Sequence, residues 1–399
     1  MPIGTPFHPR TAAACTSLNW RTWSGYFVAS SYDVVHDYEY HAIRNSAALI
    51  DVSPLYKYDV RGKDAVRLIN RVITRDAARC AVGQALYTCL CGSDGKVMQD
   101  GTVFRFDEDY YRLHLADPAL RWLKLNAIRM DVEIHDVSEE IAALAIQGPY
   151  SLDVLQAAAD VDLGDLRFFR LKGAKLHGIP VVISRTGYTG DLGYEVWLAA
   201  QDAERIWDIV NAGGKPFGIK PAGMLALDVA RLEAGFILLE VDYIGAERAL
   251  IPSQRYSPYE IGLSWTVDLK KDHFVGSRAI RKEDEHGPAR QIVGLEIDLN
   301  EYERLFQQVG LPPRIPTTAW RGSAGIFTGG KQVGYATTGG WSPVLKKYIA
   351  IATLERKHAN PGKPLALDVS VEHERKKVGV TVVKLPFYDP PRKRQMFNR

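Results

Sequence analysis

The chain has 399 residues, 46% of them hydrophobic and 24% charged, with a formal net charge of +3. Such a composition is globular, the length suits two or three domains, and so small a charge excludes nucleic acid as the main partner. The first ten residues hold no apolar signal core and no run long enough to cross a bilayer occurs, so no membrane segment is expected and the cytoplasm is.

The first 35 residues are aromatic and irregular, carrying Trp20, Trp23, Tyr26, Phe27 and Tyr32. Such a segment packs over another domain or lines a pocket, because aromatic rings give contact area at low rotamer entropy. Residues 33–48 read as a helix or helix pair with Tyr38, Tyr40 and Ile43. A strand, glycine turn and helix then follow: Tyr56 to Arg61, Gly62, and a helical pattern of Val66, Leu68, Ile69 and Val72. The unit recurs as Ile141 to Ile146, Gly148-Pro149, and a helix with Leu152, Val154 and Leu155 that Ser151 is expected to cap. Two such units predict a duplicated α+β module.

Between the units, Leu86 to Leu90, Gly101 to Phe106 and Tyr110 to Leu115 read as strands. Asp117-Pro118 is expected to start a helix over Ala119 to Met130. Further on, Asp202 to Ala212 and Pro221 to Ala234 read as helices, the second stopping at Gly235. Short strands separated by Gly/Pro turns after about Pro288 predict a small β-barrel. Glu283-Asp-Glu-His-Gly-Pro288 reads as the linker, dividing the chain into residues 1–285 and 286–399. The basic end, Pro390-Pro-Arg-Lys-Arg394, reads as a solvated tail.

The cysteines Cys15, Cys80, Cys89 and Cys91 are too few for a disulfide framework and wrongly spaced for zinc, so free thiols and no metal site are expected. Nucleophile-elbow, zincin, Walker and dinucleotide-binding patterns are missing from the sequence. Two carboxylates stand out. Asp100 lies in an otherwise apolar stretch after the turn at Asp94-Gly95, where burial would make it a general base; a solvated edge strand is the alternative. Glu195 follows the Gly-rich turn of Ser184-Arg-Thr-Gly-Tyr-Thr-Gly-Asp-Leu-Gly-Tyr-Glu-Val-Trp197, which joins two strands, and faces either a pocket or water. For Arg231 and Glu233 the reading from the residues alone is a solvated helix face.

Several stretches together resemble the folate-dependent aminomethyltransferase family, represented by the glycine cleavage system T protein. They are Ala47-Ala-Leu-Ile-Asp-Val-Ser53, Gly83-Gln-Ala-Leu-Tyr-Thr88, Gly95-Lys-Val-Met-Gln-Asp100 and Gln147-Gly-Pro149. After them come Arg185-Thr-Gly-Tyr-Thr-Gly190, Gly193-Tyr-Glu195, Arg231-Leu-Glu-Ala-Gly235, Pro258-Tyr-Glu-Ile-Gly-Leu-Ser-Trp265, Lys271-Asp-His-Phe-Val-Gly276 and Gly339-Gly-Trp-Ser-Pro-Val-Leu-Lys-Lys347.

The resemblance implies an α+β cloverleaf of three domains, two ferredoxin-like modules and a C-terminal barrel, with tetrahydrofolate at the centre. By position it makes Asp100 the catalytic carboxylate, puts Glu195 on the pterin, Arg231 near the folate tail and Trp265 against the cofactor, and adds Tyr87 and Tyr188 to the pocket.

Some positions depart from a T protein: Val52-Ser-Pro-Leu55, Gln99-Asp100, Arg112, the aromatic N-terminal segment, and the long stretch from Glu240 to Tyr256. Those departures, and Tyr194-Glu-Val-Trp197, resemble folate-dependent demethylases. The leading expectation is therefore a demethylase that moves a methyl group from sulfur, oxygen or nitrogen of a small molecule to N5 of tetrahydrofolate. Trp20, Trp23, Tyr26, Tyr243 and Tyr256 are its candidates for the donor side, where aromatic faces suit a cation or an aryl ether. The alternatives are an aminomethyltransferase served by a lipoyl carrier and a non-catalytic folate-binding assembly factor.

Overall fold

The computed structural model describes residues 1–397. Its first sheet has five strands in the order Gln84–Cys91, Val97–Asp107, Tyr110–Leu115, Tyr56–Arg61 and Glu133–Asp136. Successive side chains along a strand point to opposite faces, and here both faces are used. Tyr58, Val60, Val103, Tyr111 and Leu113 pack under the helices Ala65–Val72 and Leu120–Asn126. Asp100, Thr102 and Phe104 therefore point the other way, together with Ala85, Tyr87 and Cys89, because Tyr87 sits opposite Thr102 and Cys89 opposite Asp100.

The second sheet has six strands: Leu171–Leu176, Ile179–Ser184, Gly193–Ala199, Ile141–Gln147, Ala48–Asp51 and Lys220–Pro221. One face, with Leu144, Ile146, Val196 and Leu198, packs against the helices Ser151–Gln156 and Ala203–Gly214. The other bears Ala143, Ala145, Ile50 and Trp197 and packs against the helices Asp37–Asn45 and Met224–Glu233, and against Phe104 of the first sheet. Phe104 meets Trp197 edge to face at 4.0 Å. The two sheets thus face each other across a shared apolar layer, which turns Asp100 and Glu195 into the same space.

A closed barrel follows, of strands Arg290–Ile297, Lys347–Glu355, Lys331–Ser342, Trp320–Thr328, Pro364–Val371 and Glu374–Val383, and the N-terminal segment, rather than being irregular, forms a three-stranded sheet of Ile3–Gly4, Tyr26–Ser31 and Asn19–Trp23. The α+β class, with two helix-covered sheets and a C-terminal barrel, is the architecture the resemblance implies. No helix among the described residues is long and apolar enough to cross a membrane.

Four local expectations are corrected. The helix expected over Ala119 to Met130 runs only from Leu120 to Asn126 and has no side-chain cap; Asp117 instead accepts from Arg248 at 2.7 Å. Ser151 is the first residue of its helix rather than the cap, and its Oγ has no partner among the described residues. Residues 283–286 are not linker but the end of the helix Ser277–His286, which stops where Gly287 takes φ +75°.

The basic end is not solvated. Arg392 pairs with Asp191 at 2.6 Å, and the carbonyls of Arg392, Lys393 and Gln395 take the Arg185 guanidinium at 3.2, 3.3 and 2.6 Å.

Candidate active site

Asp100 accepts from both sides. The Tyr87 hydroxyl donates to Oδ2 at 2.6 Å, across the diagonal of the strand pair. The Tyr243 hydroxyl donates to Oδ1, and the Asp100 backbone N–H donates back to the same phenol oxygen at 3.1 Å. Asp100 is half-buried. Burial pushes its carboxyl pKa up, and the two phenols offset part of that rise. Both phenols are held well above the usual tyrosine range by burial and by the Asp100 charge, so they stay donors.

Tyr243 reaches Asp100 from the stretch after the helix Met224–Glu233, and buried charges fix that stretch. Asp242 accepts from Arg231 at 2.6 Å, from the Leu238 N–H at 2.9 Å, and from Thr337 and Thr338 of the barrel at 2.6 and 2.7 Å. Tyr188 lies in the same layer, its hydroxyl on the Ile237 carbonyl and its ring stacked on Phe236 at 5.5 Å. Burial and the Asp100 charge both raise its pKa, burial more.

Glu195 stands two residues before Trp197 on the same strand face, half-buried. Its Oε2 accepts from Thr186 at 2.5 Å, and Thr186 in turn pairs with Ser184 at 2.6 Å. Burial raises the carboxyl pKa and the Thr186 hydroxyl offsets part of it. Oε1 has no partner among the described residues. The turn before Glu195 is held by Gln147, whose amide donates to the Thr186 and Tyr194 carbonyls at 3.3 Å and accepts from Thr189 at 2.8 Å. A Cβ at Gly187 or Gly193 would sit 2.1 or 2.2 Å from that amide. The glycines make room for the staple. In the sequence Gln147 stands out only within Gln147-Gly-Pro149, and its spacing to the turn carries no signal of this contact.

Trp265 is 59% exposed and stacks on Tyr87 with ring centroids 6.0 Å apart. It therefore sits one ring away from Asp100, on the mouth of a cleft.

The remaining candidates separate. Arg231 is 0% exposed and spends its guanidinium on Asp242, Thr338, the Phe236 carbonyl and Asp228. It is neither on a solvated face nor open to a folate tail; it docks the helix onto the barrel. Glu233 is likewise sealed, accepting from Tyr40 and Ser342 at 2.6 Å and from Arg44 at 2.7 Å. Trp23 packs at the edge of the inter-sheet layer that also holds Tyr188. Trp20 faces away and lies against His8 at 5.3 Å. Tyr26 has Glu139 and Asp136 near its phenol, on a different patch from Asp100. Tyr256 is buried behind Tyr243, edge to face at 6.5 Å, with its hydroxyl on Tyr335. Of the five donor-side candidates, only Tyr243 touches Asp100.

Arg112, one of the departures, is locked to Asp59 at 2.5 Å and to Tyr110 at 2.8 Å. All four cysteines are free and buried. Among the described residues no cluster of His, Cys, Asp or Glu is arranged to hold a metal ion.

Two family models match the chain: the GCVT N-terminal domain over residues 8–271 and the glycine cleavage T-protein C-terminal barrel domain over residues 307–389. The aminomethyltransferase of Thermoanaerobacter sp. is 34% identical over 334 residues, covering 82% of this chain and 84% of the relative. That of Caldanaerobacter subterraneus is 34% identical over 355 residues, covering 88% and 87%. The crystal structure of glycine cleavage system aminomethyltransferase T from Bartonella henselae superposes over 100% of both chains with a TM-score of 0.82 at 22% identity, a likeness of fold. With both of its parts matched in order and relatives aligned over more than four-fifths of it, the chain belongs to the glycine cleavage T-protein family of folate-dependent aminomethyltransferases.

Proposed function

We propose that the chain transfers a one-carbon unit to tetrahydrofolate between the two sheets, and that the donor is an aminomethyl group carried on a lipoyl protein. The products are then 5,10-methylenetetrahydrofolate, ammonia and the carrier with its lipoyl group left as the free dithiol. The observation that carries this is Asp100: a half-buried carboxylate with raised pKa, fixed by two phenol donors on the strand face whose Phe104 meets Trp197 of the Glu195 strand. The relatives named aminomethyltransferase favour this donor over a free methylated molecule.

The residues fit a folate. A pterin offers an N–H beside an amine, and Glu195 has a free Oε1 to accept from them while Thr186 holds Oε2. Trp265 supplies an exposed aromatic face one ring from Asp100. Bound tetrahydrofolate supplies the nitrogen nucleophiles of the transfer. Asp100, held in place by Tyr87 and Tyr243, orients those nitrogens and stabilises the positive charge that develops there.

A second reading, demethylation of a small molecule to 5-methyltetrahydrofolate, is favoured by one observation. Tyr243 comes from the stretch that departs from T proteins, and it places a protonated phenol at Asp100, where a leaving heteroatom would need a proton. The folate product distinguishes the two. Enzyme and tetrahydrofolate are incubated with an aminomethylated lipoyl carrier or with methylated sulfonium, ether and amine donors. Methylenetetrahydrofolate from the carrier supports the first reading; methyltetrahydrofolate from a free donor, with the carrier inert, replaces it with the second.

A further inference from the structure

The turn of residues 185–191, which supports Glu195, is tied to the far end of the chain. Residues 388–397 cross it: the Tyr388 N–H donates to the Glu233 carbonyl at 2.8 Å, and a Cβ at Gly190 would lie 3.9 Å from the Tyr388 carbonyl oxygen. At one end of the turn Arg392 takes both oxygens of Asp191, at 2.6 and 2.8 Å, and donates to the Arg44 carbonyl at 3.1 Å. At the other end Arg185 gives Nη2 to three carbonyls of the same segment. Phe397 packs against the core of the second sheet and ends the crossing. Among the described residues no group of this segment hydrogen-bonds Asp100 or Glu195. It reaches the site only through the turn, whose Thr186 follows Arg185 and donates to Glu195.

We propose that residues 388–397 are a positioning strap for the pterin carboxylate, with Arg392 as its latch: the strap sets the turn from which Thr186 holds Glu195, and releasing it weakens folate binding. The inference rests on the folate reading above and adds a determinant that lies outside the space between the sheets. A guanidinium that takes a carboxylate in a planar fork fixes its orientation as well as its place. Here the Asp191 side chain is sealed while that of Arg392 is 33% exposed. Without Arg392, Asp191 still has Arg44 at 3.3 Å and the Leu192 N–H at 2.8 Å, so the acid is not stranded and the chain folds. What is lost is the placement of the turn, and a binding group that is loose by about 1 Å binds less well.

The test is titration of the full chain with tetrahydrofolate, reading both Kd and the number of binding sites. Arg392→Ala is expected to raise Kd about fivefold, on the scale of one weakened hydrogen bond, with the number of sites unchanged. Arg392→Lys, which keeps the charge, recovers part of the loss, and Arg394→Ala, whose partner is the exposed Asp389, binds as the wild type does. A merely structural role would lower the melting midpoint and the number of sites and leave Kd where it was. In a Glu195→Gln background Arg392→Ala adds less than about twofold, since both changes act on one carboxylate. Wild-type affinity in Arg392→Ala, or losses that multiply in full in the double variant, overturn the strap alone. Failure of the wild type to bind tetrahydrofolate overturns the folate reading and this inference with it.

Discussion

Tyr243 and Asp100, 143 residues apart, hydrogen-bond to each other twice: the phenol donates to the carboxylate and accepts the Asp100 backbone N–H at 3.1 Å. The carboxylate is thereby aimed by a stretch that belongs to neither strand beside it. That stretch is itself tied to the barrel, since Asp242, the preceding residue, accepts from Thr337 and Thr338. Barrel docking and carboxylate geometry are one problem in this chain.

Tyr243→Phe keeps the ring and removes both hydrogen bonds. The phenols are what offset the rise that burial imposes on Asp100, so losing one moves the Asp100 pKa further up. If the ionised carboxylate is the active form, the acid limb of the kcat/KM profile shifts to higher pH. A limb that stays where it was, at any overall rate, would show that Tyr243 does not tune this group. Asp100→Asn keeps the shape, removes the charge and should lower kcat by about 10²-fold or more.

Glu195→Gln replaces one acceptor oxygen by a donor facing a ligand's own donors. Stranding such a pair costs about 1–3 kcal/mol, which should appear as weaker tetrahydrofolate binding with kcat largely retained. Thr186→Val is the comparison: it strips the partner of Oε2 and leaves Oε1 as it was. A Glu195→Gln variant with wild-type folate affinity would remove Glu195 from the pterin site.

The Arg44–Glu233 pair makes a stability prediction. Both side chains are sealed, 1% and 0% exposed, and Glu233 joins Tyr40 and Arg44 of the helix Asp37–Asn45 to Ser342 of the barrel. Removing the Glu233 charge leaves Arg44 only Asp191 at 3.3 Å, an acid that Arg392 already takes, so the buried cluster is one carboxylate short, at about 3–5 kcal/mol. Glu233→Gln should lower the denaturation midpoint strongly, and Arg44→Met/Glu233→Leu should recover part of the loss. A midpoint unchanged in Glu233→Gln would mean that water reaches the pair.

The buried clusters around Arg231–Asp242 and Arg44–Glu233 also mark the boundary of what the sequence discloses. Strand alternation and glycine turns delimit Tyr56–Arg61, Ile141–Gln147 and the hairpin that carries Glu195, because those signals are local. Asp100 is conspicuous as an acid in an apolar strand. The solvated helix face expected for Arg231 and Glu233 is not what forms, since a charge on a helix looks the same in sequence whether it meets water or a partner 107 or 189 residues away. The same holds at the C-terminal end, where Arg185 collects carbonyls more than 200 residues downstream. Sequence patterning reports periodicity and composition; which distant group satisfies a polar side chain is settled by packing.

Lys271 supports a prediction about pH. Its ammonium is buried against the carbonyls of Asn70, Ile73 and Arg75 at 2.7, 2.5 and 2.7 Å, closing the end of the helix Ala65–Val72 and fixing the wall of the cleft at Arg75. Burial pushes its pKa down from 10.5 to about 7. Between those values the unfolded chain holds a proton that the folded chain has released, so stability rises with pH across that window; below about 7 both states are charged and the dependence vanishes. Lys271→Met has no such proton to release. Urea unfolding at intervals from pH 6 to 10 should therefore show the wild type gaining on the variant above about pH 7, on the order of a few kcal/mol by the top of the range. Comparison with the variant cancels the titration of the buried tyrosines. Parallel curves would mean that Lys271 keeps its proton throughout, and that the three carbonyls compensate its burial.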